Sequence, residues 1–122
     1  MSLNNFTMLG NTTYGVANGP YNGSSADFLS YPAQGAAYYG GQGSVQTVFI
    51  TTAGFNGNVV IKGSLDSLVE EAAWAKITEF DNSSPANAIT GVTPLTFTGR
   101  FVWLQAEIID YTAGNIAITV SY

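Results

Sequence analysis

Residues 100–122 read RFVWLQAEIIDYTAGNIAITVSY, and the alternation in that stretch decides the fold class. Val102, Leu104, Ala106 and Ile108 take every second position, with Phe101, Trp103, Gln105 and Glu107 between them. Successive side chains of a strand point to opposite faces, so this period of two predicts a half-buried strand over Arg100–Ile109. Ile116, Ile118 and Val120 repeat the pattern and predict a last strand on the same core. Between the two, Tyr111-Thr112-Ala113-Gly114-Asn115 holds the glycine and asparagine that tight turns use, which predicts a hairpin.

The same reading extends upstream. Val45–Thr52 is β-branched, with Val48 and Ile50 on one face and Phe49 on the other. Gly54-Phe55-Asn56-Gly57 predicts a tight turn, because Asn-Gly readily supplies positive φ. Val59, Ile61, Gly63 and Leu65 then alternate as an inward face. Ser67 and Glu70 have capping-box spacing, which predicts one or two helical turns through Ala73. Trp74–Phe80 returns to strand character, Asp81-Asn82-Ser83-Ser84-Pro85 is a cluster of turn formers, and Leu95–Thr98 is a short strand with a bend at Gly99. Short strands at this spacing predict an all-β chain: a single antiparallel β-sandwich or jelly-roll-like domain over residues 44–122.

Residues 1–43 differ. They are punctuated by glycine, hold Asp27 as their only charge, and show weak periodicity, with short strands expected near Phe6–Leu9 and Ala26–Tyr31. Flexible linkers lack aromatics, whereas Phe6, Tyr14, Tyr21, Phe28, Tyr31, Tyr38 and Tyr39 each have about 150–250 Å² to bury. The segment therefore reads as an extended arm whose rings contact its own core or a neighbour.

Composition narrows the function. The chain has 122 residues, 46% of them hydrophobic and 9% charged, against about 25% charged in an ordinary soluble domain. Three basic residues, Lys62, Lys76 and Arg100, stand against eight acidic ones for a net charge of −5. That balance cannot neutralise a row of phosphates, so nucleic acid is excluded as an expected partner. The absence of histidine and cysteine removes the usual general base, thiol nucleophile and transition-metal ligands. No apolar run reaches the about 20 residues of a membrane helix. Met1–Gly10 lacks the basic and apolar segments of a secretory signal, so synthesis in a cytoplasm is expected.

Searches for chemistry yield little. A serine hydrolase would need a serine-lysine arrangement, and neither Lys62 nor Lys76 has that spacing. Asp66, Glu70, Glu71, Glu79, Asp81, Glu107 and Asp110 could pair as in a glycosidase, yet each also reads as a turn cap, a helix-start charge or an outward strand residue. Asp81-Asn82-Ser83 and Asp66-Ser67 fall short of a calcium loop. Gly40-Gly41-Gln42-Gly43-Ser44 lacks the lysine and following helix of a phosphate loop. The Asn-x-Ser/Thr triplets at Asn5, Asn11, Asn22 and Asn82 follow from composition. No catalytic residue, cofactor or metal site is expected. Phe101 and Trp103, opposite the apolar face, remain as candidate stacking platforms for a sugar ring. From Met1 to Ile61 the sole charge is Asp27, and low charge with many aromatics is the composition of interface centres. The arm's seven rings are the interface candidates, and permanent association is expected.

Residues Thr51–Asp66, Trp74 with Ile77, Gly99–Ala106 and Tyr111–Ile116 together resemble small β-sandwich structural proteins of tailed bacteriophage virions. In that family a glycine turn leads into a valine-rich strand ending Gly-Ser-x-Asp, a tryptophan follows, and a late aromatic strand pairs with a closing T-x-G-x-I hairpin. The likeness covers Val45–Tyr122 and leaves the arm unmatched. It implies a virion component without catalysis: a capsid decoration, head-fibre, neck or tail-associated protein, often trimeric, whose partners are its own copies and other virion proteins. It also implies Gly63 and Gly114 at bends, Asp66 as a turn cap and Trp74 as a core anchor, with the arm as the attachment device. The alternative expectation is a carbohydrate- or receptor-binding β-sandwich module.

Overall fold

A computed structural model describes residues 5–35, 44–65, 73–82, 91–99 and 101–122. Among them the chain is all-β, one antiparallel sheet of seven strands: β1 (Asn5–Thr13), β2 (Phe28–Leu29), β3 (Ala33–Gln34), β4 (Ser44–Ser64), β5 (Ala75–Asn82), β6 (Gly91–Gly99) and β7 (Trp103–Ser121). The expected helical turn at Ser67–Glu70, Tyr38 and Tyr39, Asp66, and the Gly40–Gly43 run lie outside the described residues.

β4 and β7 are the spine. They pair from Thr47↔Ser121 to Ser64↔Trp103, and each of their halves gains a different outer neighbour. The N-terminal half of β4 pairs with β6, and the C-terminal half of β7 with β1. The other halves pair with β5 and with β2 and β3. We call these the β6 half and the β5 half.

Distances along the chain show that the spine doubles back. A straight 21-residue strand would run about 69 Å. Yet Ser44 pairs with Gly99 and Ser64 with Trp103, and the chain between Gly99 and Trp103 can span at most about 14 Å. The crossing is tied down: the Val102 amide donates to the Ser64 carbonyl at 2.9 Å and the Gly35 amide to the Val102 carbonyl at 2.8 Å. At the same end the Tyr122 hydroxyl donates to the Gln34 carbonyl at 3.1 Å. Inward residues of both halves accordingly share one core. Val48, Ile50, Ile116, Ile118 and Val120 come from the β6 half, and Val59, Ile61, Leu104, Ala106 and Ile108 from the β5 half.

The alternation read from the sequence holds within each half, but both expected hairpins are replaced. Residues 54–57 and 111–115 do not reverse the chain, since the strands flanking each pair with the other spine strand and not with each other. The two turn signals lie side by side and make one shared bend, with register shifts between Ala53 and Asn58 and positive φ at Gly54, Asp110 and Gly114. A tight turn and a bulged bend need the same local backbone freedom, and strand pairing far along the chain chooses between them.

Leu65, expected inward, is 71% exposed beyond the end of β4. Trp74 is half-buried, precedes β5 and lies outside the core cluster. Gly63 is no bend: a Cβ there would sit 2.5 Å from Cδ1 of Phe101, so its role is to admit that ring. β6 is longer than Leu95–Thr98 and tolerates Pro94 because it is an edge strand. Residues 5–35, expected as an arm, supply β1 to β3, and Met8, Leu9, Tyr21 and Ala33 join the chain's own core.

Candidate interaction surface

Pairing across the sheet sets which side chains share an outer face. On the β6 half, Thr7, Thr119, Phe49 and Pro94 form one row across four strands. Ser121, Thr47 and Thr96 form the next, and Ala117, Thr51 and Val92 the one beyond. Val45 at 53%, Phe49 at 39% and Val92 at 59% are large apolar residues left exposed on it. The Thr47 and Thr96 hydroxyls lie 3.1 Å apart and hydrogen-bond across the strands. No described side chain of this face is ionisable.

The outer face of the β5 half is the reverse. Leu29, Glu107, Val60 and Glu79 form its central row. Lys62 Nζ sits 2.8 Å from Glu107 Oε1, and Lys76 Nζ 2.8 Å from Glu79 Oε1. Such partly exposed pairs contribute at most about 1 kcal/mol each, so they mark a face built for water. Of the carboxylates weighed as a catalytic pair, Glu79 and Glu107 are thus in ion pairs with lysines. Asp110 is exposed at the bend, its amide donating to Oδ1 of Asp27 at 3.0 Å. Asp66, Glu70 and Glu71 are outside the described residues. Among the described residues no group of three or more acidic side chains gathers in metal-binding fashion, and no helix is long and apolar enough to cross a membrane.

The aromatic candidates divide. Tyr21 is buried, Phe28 and Phe6 are half-buried against the core, and Tyr14 and Tyr31 remain exposed. Phe101 does not face outward as expected. Its ring lies 5.9 Å from Phe97 and packs where side chains on Gly63 and Gly99 would be, bridging the two halves. Trp103 is half-buried at the rim of the β5 half, opposite Ser64 and Gln34. Phe101 and Trp103 therefore form no common stacking platform. Tyr31 stands beside a cavity of about 130 Å³ bordered by Leu9, Thr12, Asn18 and Pro20. That volume is about enough for a single benzene-sized group.

The residue missed by sequence reading is Tyr111, expected in a turn and found buried at the bend. Tyr14, Tyr21, Phe28 and Phe55 surround it with ring centroids 5.2–6.0 Å away. Its hydroxyl donates to the Gly114 carbonyl at 2.6 Å and approaches that of Thr12 at 3.2 Å. Burial pushes this phenol up to about 12, with Tyr21 and Tyr14 adding to the effect. Because the folded value is raised, the stability linked to it is complete below the ordinary value of 10.0 and is lost as pH rises toward about 12. Absorbance titration should therefore show a late ionisation step with accompanying loss of β-signal, and Tyr111→Phe should remove that step.

No family model, curated protein or solved structure matches the chain.

Proposed function

We propose that this chain is a non-catalytic structural subunit of a virion of the tailed-phage kind, a capsid decoration or tail-associated protein that works by being packed among other copies and other virion proteins. On this reading the doubled-back sheet is a β-sandwich of two layers, the β6 half and the β5 half, packed about 10 Å apart. The observation that carries the proposal is the division of charge. Among the described residues the lysines and glutamates of the strands, Lys62, Lys76, Glu79 and Glu107, sit on the outer face of the β5 half, while that of the β6 half has exposed Val45, Phe49 and Val92 among threonines and no charge. A soluble surface ordinarily mixes charges of both signs, and a charge-free face with exposed apolar residues is what interface centres look like.

Attachment by the arm needs restating. Residues 5–35 complete the sheet and its core, so deleting residues 1–43 would test folding and not attachment. The informative experiment follows the intact chain, tagged at its C-terminus, through gradient purification of particles from producing cells. It should band with particles at a fixed stoichiometry and resist washing at 1 M salt, where the Debye length is about 3 Å and purely ionic contacts are screened. Recovery only as free protein at the top of the gradient would refute the virion role. The carbohydrate-binding alternative has less support, since Phe101 packs against the core and forms no stacking platform with Trp103.

A further inference from the structure

We propose that a second copy of this chain seats face to face on the outer surface of the β6 half, centred on the Thr7–Thr119–Phe49–Pro94 row, and that strand addition at the sheet edges is blocked. The inference rests on the assembly reading above and specifies its geometry.

The edges come first. An open β-edge invites another chain's strand, and proteins blunt it with prolines, bulges, charges or very short strands. Each described edge here has one of these devices. β6 holds Pro94, which offers no N–H. β1 is broken by irregularities between Thr7 and Leu9 and between Leu9 and Thr12. β5 has Lys76 and Glu79 and a register shift opposite Ile61 and Lys62. β2 and β3 are two residues each. Edge-to-edge growth is disfavoured at each described edge, so contact between copies falls to a face.

The choice of face follows from charge. The outer face of the β5 half holds the Lys62–Glu107 and Lys76–Glu79 ion pairs, partly exposed to water. Joining the β6 halves leaves both pairs solvated. Joining the β5 faces would instead bring like ion pairs together and desolvate them. The neutral face is also large enough. Four strands at about 4.8 Å and nine residues at about 3.4 Å give a flat footprint of about 590 Å², approaching the about 800 Å² of surface each partner gives to a standard interface. A neutral face is complementary to itself, which is what a two-fold contact requires. The contact is closed, leaving other surfaces for further partners.

Sedimentation equilibrium of the full chain at 0.15 M salt tests this, comparing wild type with Phe49→Lys, Thr119→Lys and, on the β5 half, Leu29→Lys. A two-fold contact sets each new lysine near its own copy, so the first two variants should weaken association by about 100-fold or more. Leu29→Lys should associate as wild type does. Thermal melts confirm folding, and Thr119→Lys, at an exposed position, decides the matter should Phe49→Lys misfold. Wild-type association unchanged in Thr119→Lys, or lost equally in Leu29→Lys, would overturn the face assignment and leave the assembly reading standing. A wild-type chain monomeric at millimolar concentration would overturn both.

Discussion

Gly114→Ala is expected to cost about 3–5 kcal/mol, a large share of the stability of a domain this size and enough to lower its melting temperature by at least about 10 °C. Two independent penalties add at that position. Its φ of +82 lies in the left-handed region, which costs an L-residue about 1–2 kcal/mol. An alanine Cβ would also fall 2.3 Å from the carbonyl carbon and oxygen of Gly54. Backbone cannot swing aside as a side chain can, so the two spine strands would have to part at their shared bend. Two other glycines separate the penalties. Gly54 has φ +66 but nothing near its missing Cβ, so Gly54→Ala should show only the conformational cost of about 1 kcal/mol. Gly10 has open space and no positive φ, and Gly10→Ala should stay within about 0.5 kcal/mol of wild type. Urea denaturation of the three variants should therefore rank them Gly114, Gly54, Gly10. A Gly114→Ala midpoint close to wild type would mean that the bend does not depend on this close approach.

What the sequence discloses and what it hides divide along the same line. Val48 and Ile50 against Phe49, Leu104, Ala106 and Ile108, and Ile116, Ile118 and Val120 are legible because burial of one strand face is a local, period-two property. The bend is not legible. Asn56-Gly57 and Gly114-Asn115 supply the backbone freedom of a hairpin, and only the pairing of Asn56 with Ala113 and of Ala53 with Asn115 turns both into one fold line. The strands flanking each signal are inward-facing on both sides, so a hairpin and a bend place the same residues in the core and periodicity cannot separate them. Residues 5–35 were ambiguous for a related reason. Their glycines erase alternation, and β1 is irregular enough to bury both Met8 and Leu9.

The candidate surface was half legible. Charge scarcity from Met1 to Ile61 points to contact, but it assigns that contact to the front of the chain and to its rings. In the structure Tyr21 is buried, Tyr14 packs against Tyr111 at the bend, and the neutral face draws equally on Thr119 from β7 and on Val92, Pro94 and Thr96 from β6. A surface assembled by antiparallel pairing collects residues from opposite ends of the chain, so a one-dimensional charge profile registers that charge is scarce without showing which residues share a face. The visible clue was the residue pattern of Val92–Thr98 itself, where valine, proline and threonines alternate with Thr93, Leu95 and Phe97 without one charge.

Tyr111→Ala should be the second severely destabilising change, by about 3–5 kcal/mol, and its companion Tyr111→Phe shows why. The ring is a hub: Tyr14 meets it edge-on at 82°, and Tyr21, Phe28 and Phe55 tilt against it. Truncation to alanine empties the centre of that group at the fold line, where β1, the segment before β2 and both spine strands meet and cannot collapse without moving one another. Phenylalanine keeps the ring and removes only the hydroxyl that holds the Gly114 carbonyl. The Tyr14 amide still donates to the same oxygen at 3.0 Å, so the acceptor is not orphaned and the loss should be about 1 kcal/mol. The gap between the two variants then measures ring packing separately from hydrogen bonding. Equal losses would place the weight on the hydroxyl, and a mild Tyr111→Ala would show that the bend is held by Gly114 and strand pairing alone. If the hub does hold it, native-state hydrogen exchange in Tyr111→Ala should quicken first at the backbone amides of positions 14 and 111, which in the wild type bond to the carbonyls of Gly114 and Ala26. Protection of Ile50 and Ile118, further along the β6 half, should fall only by the global loss in stability.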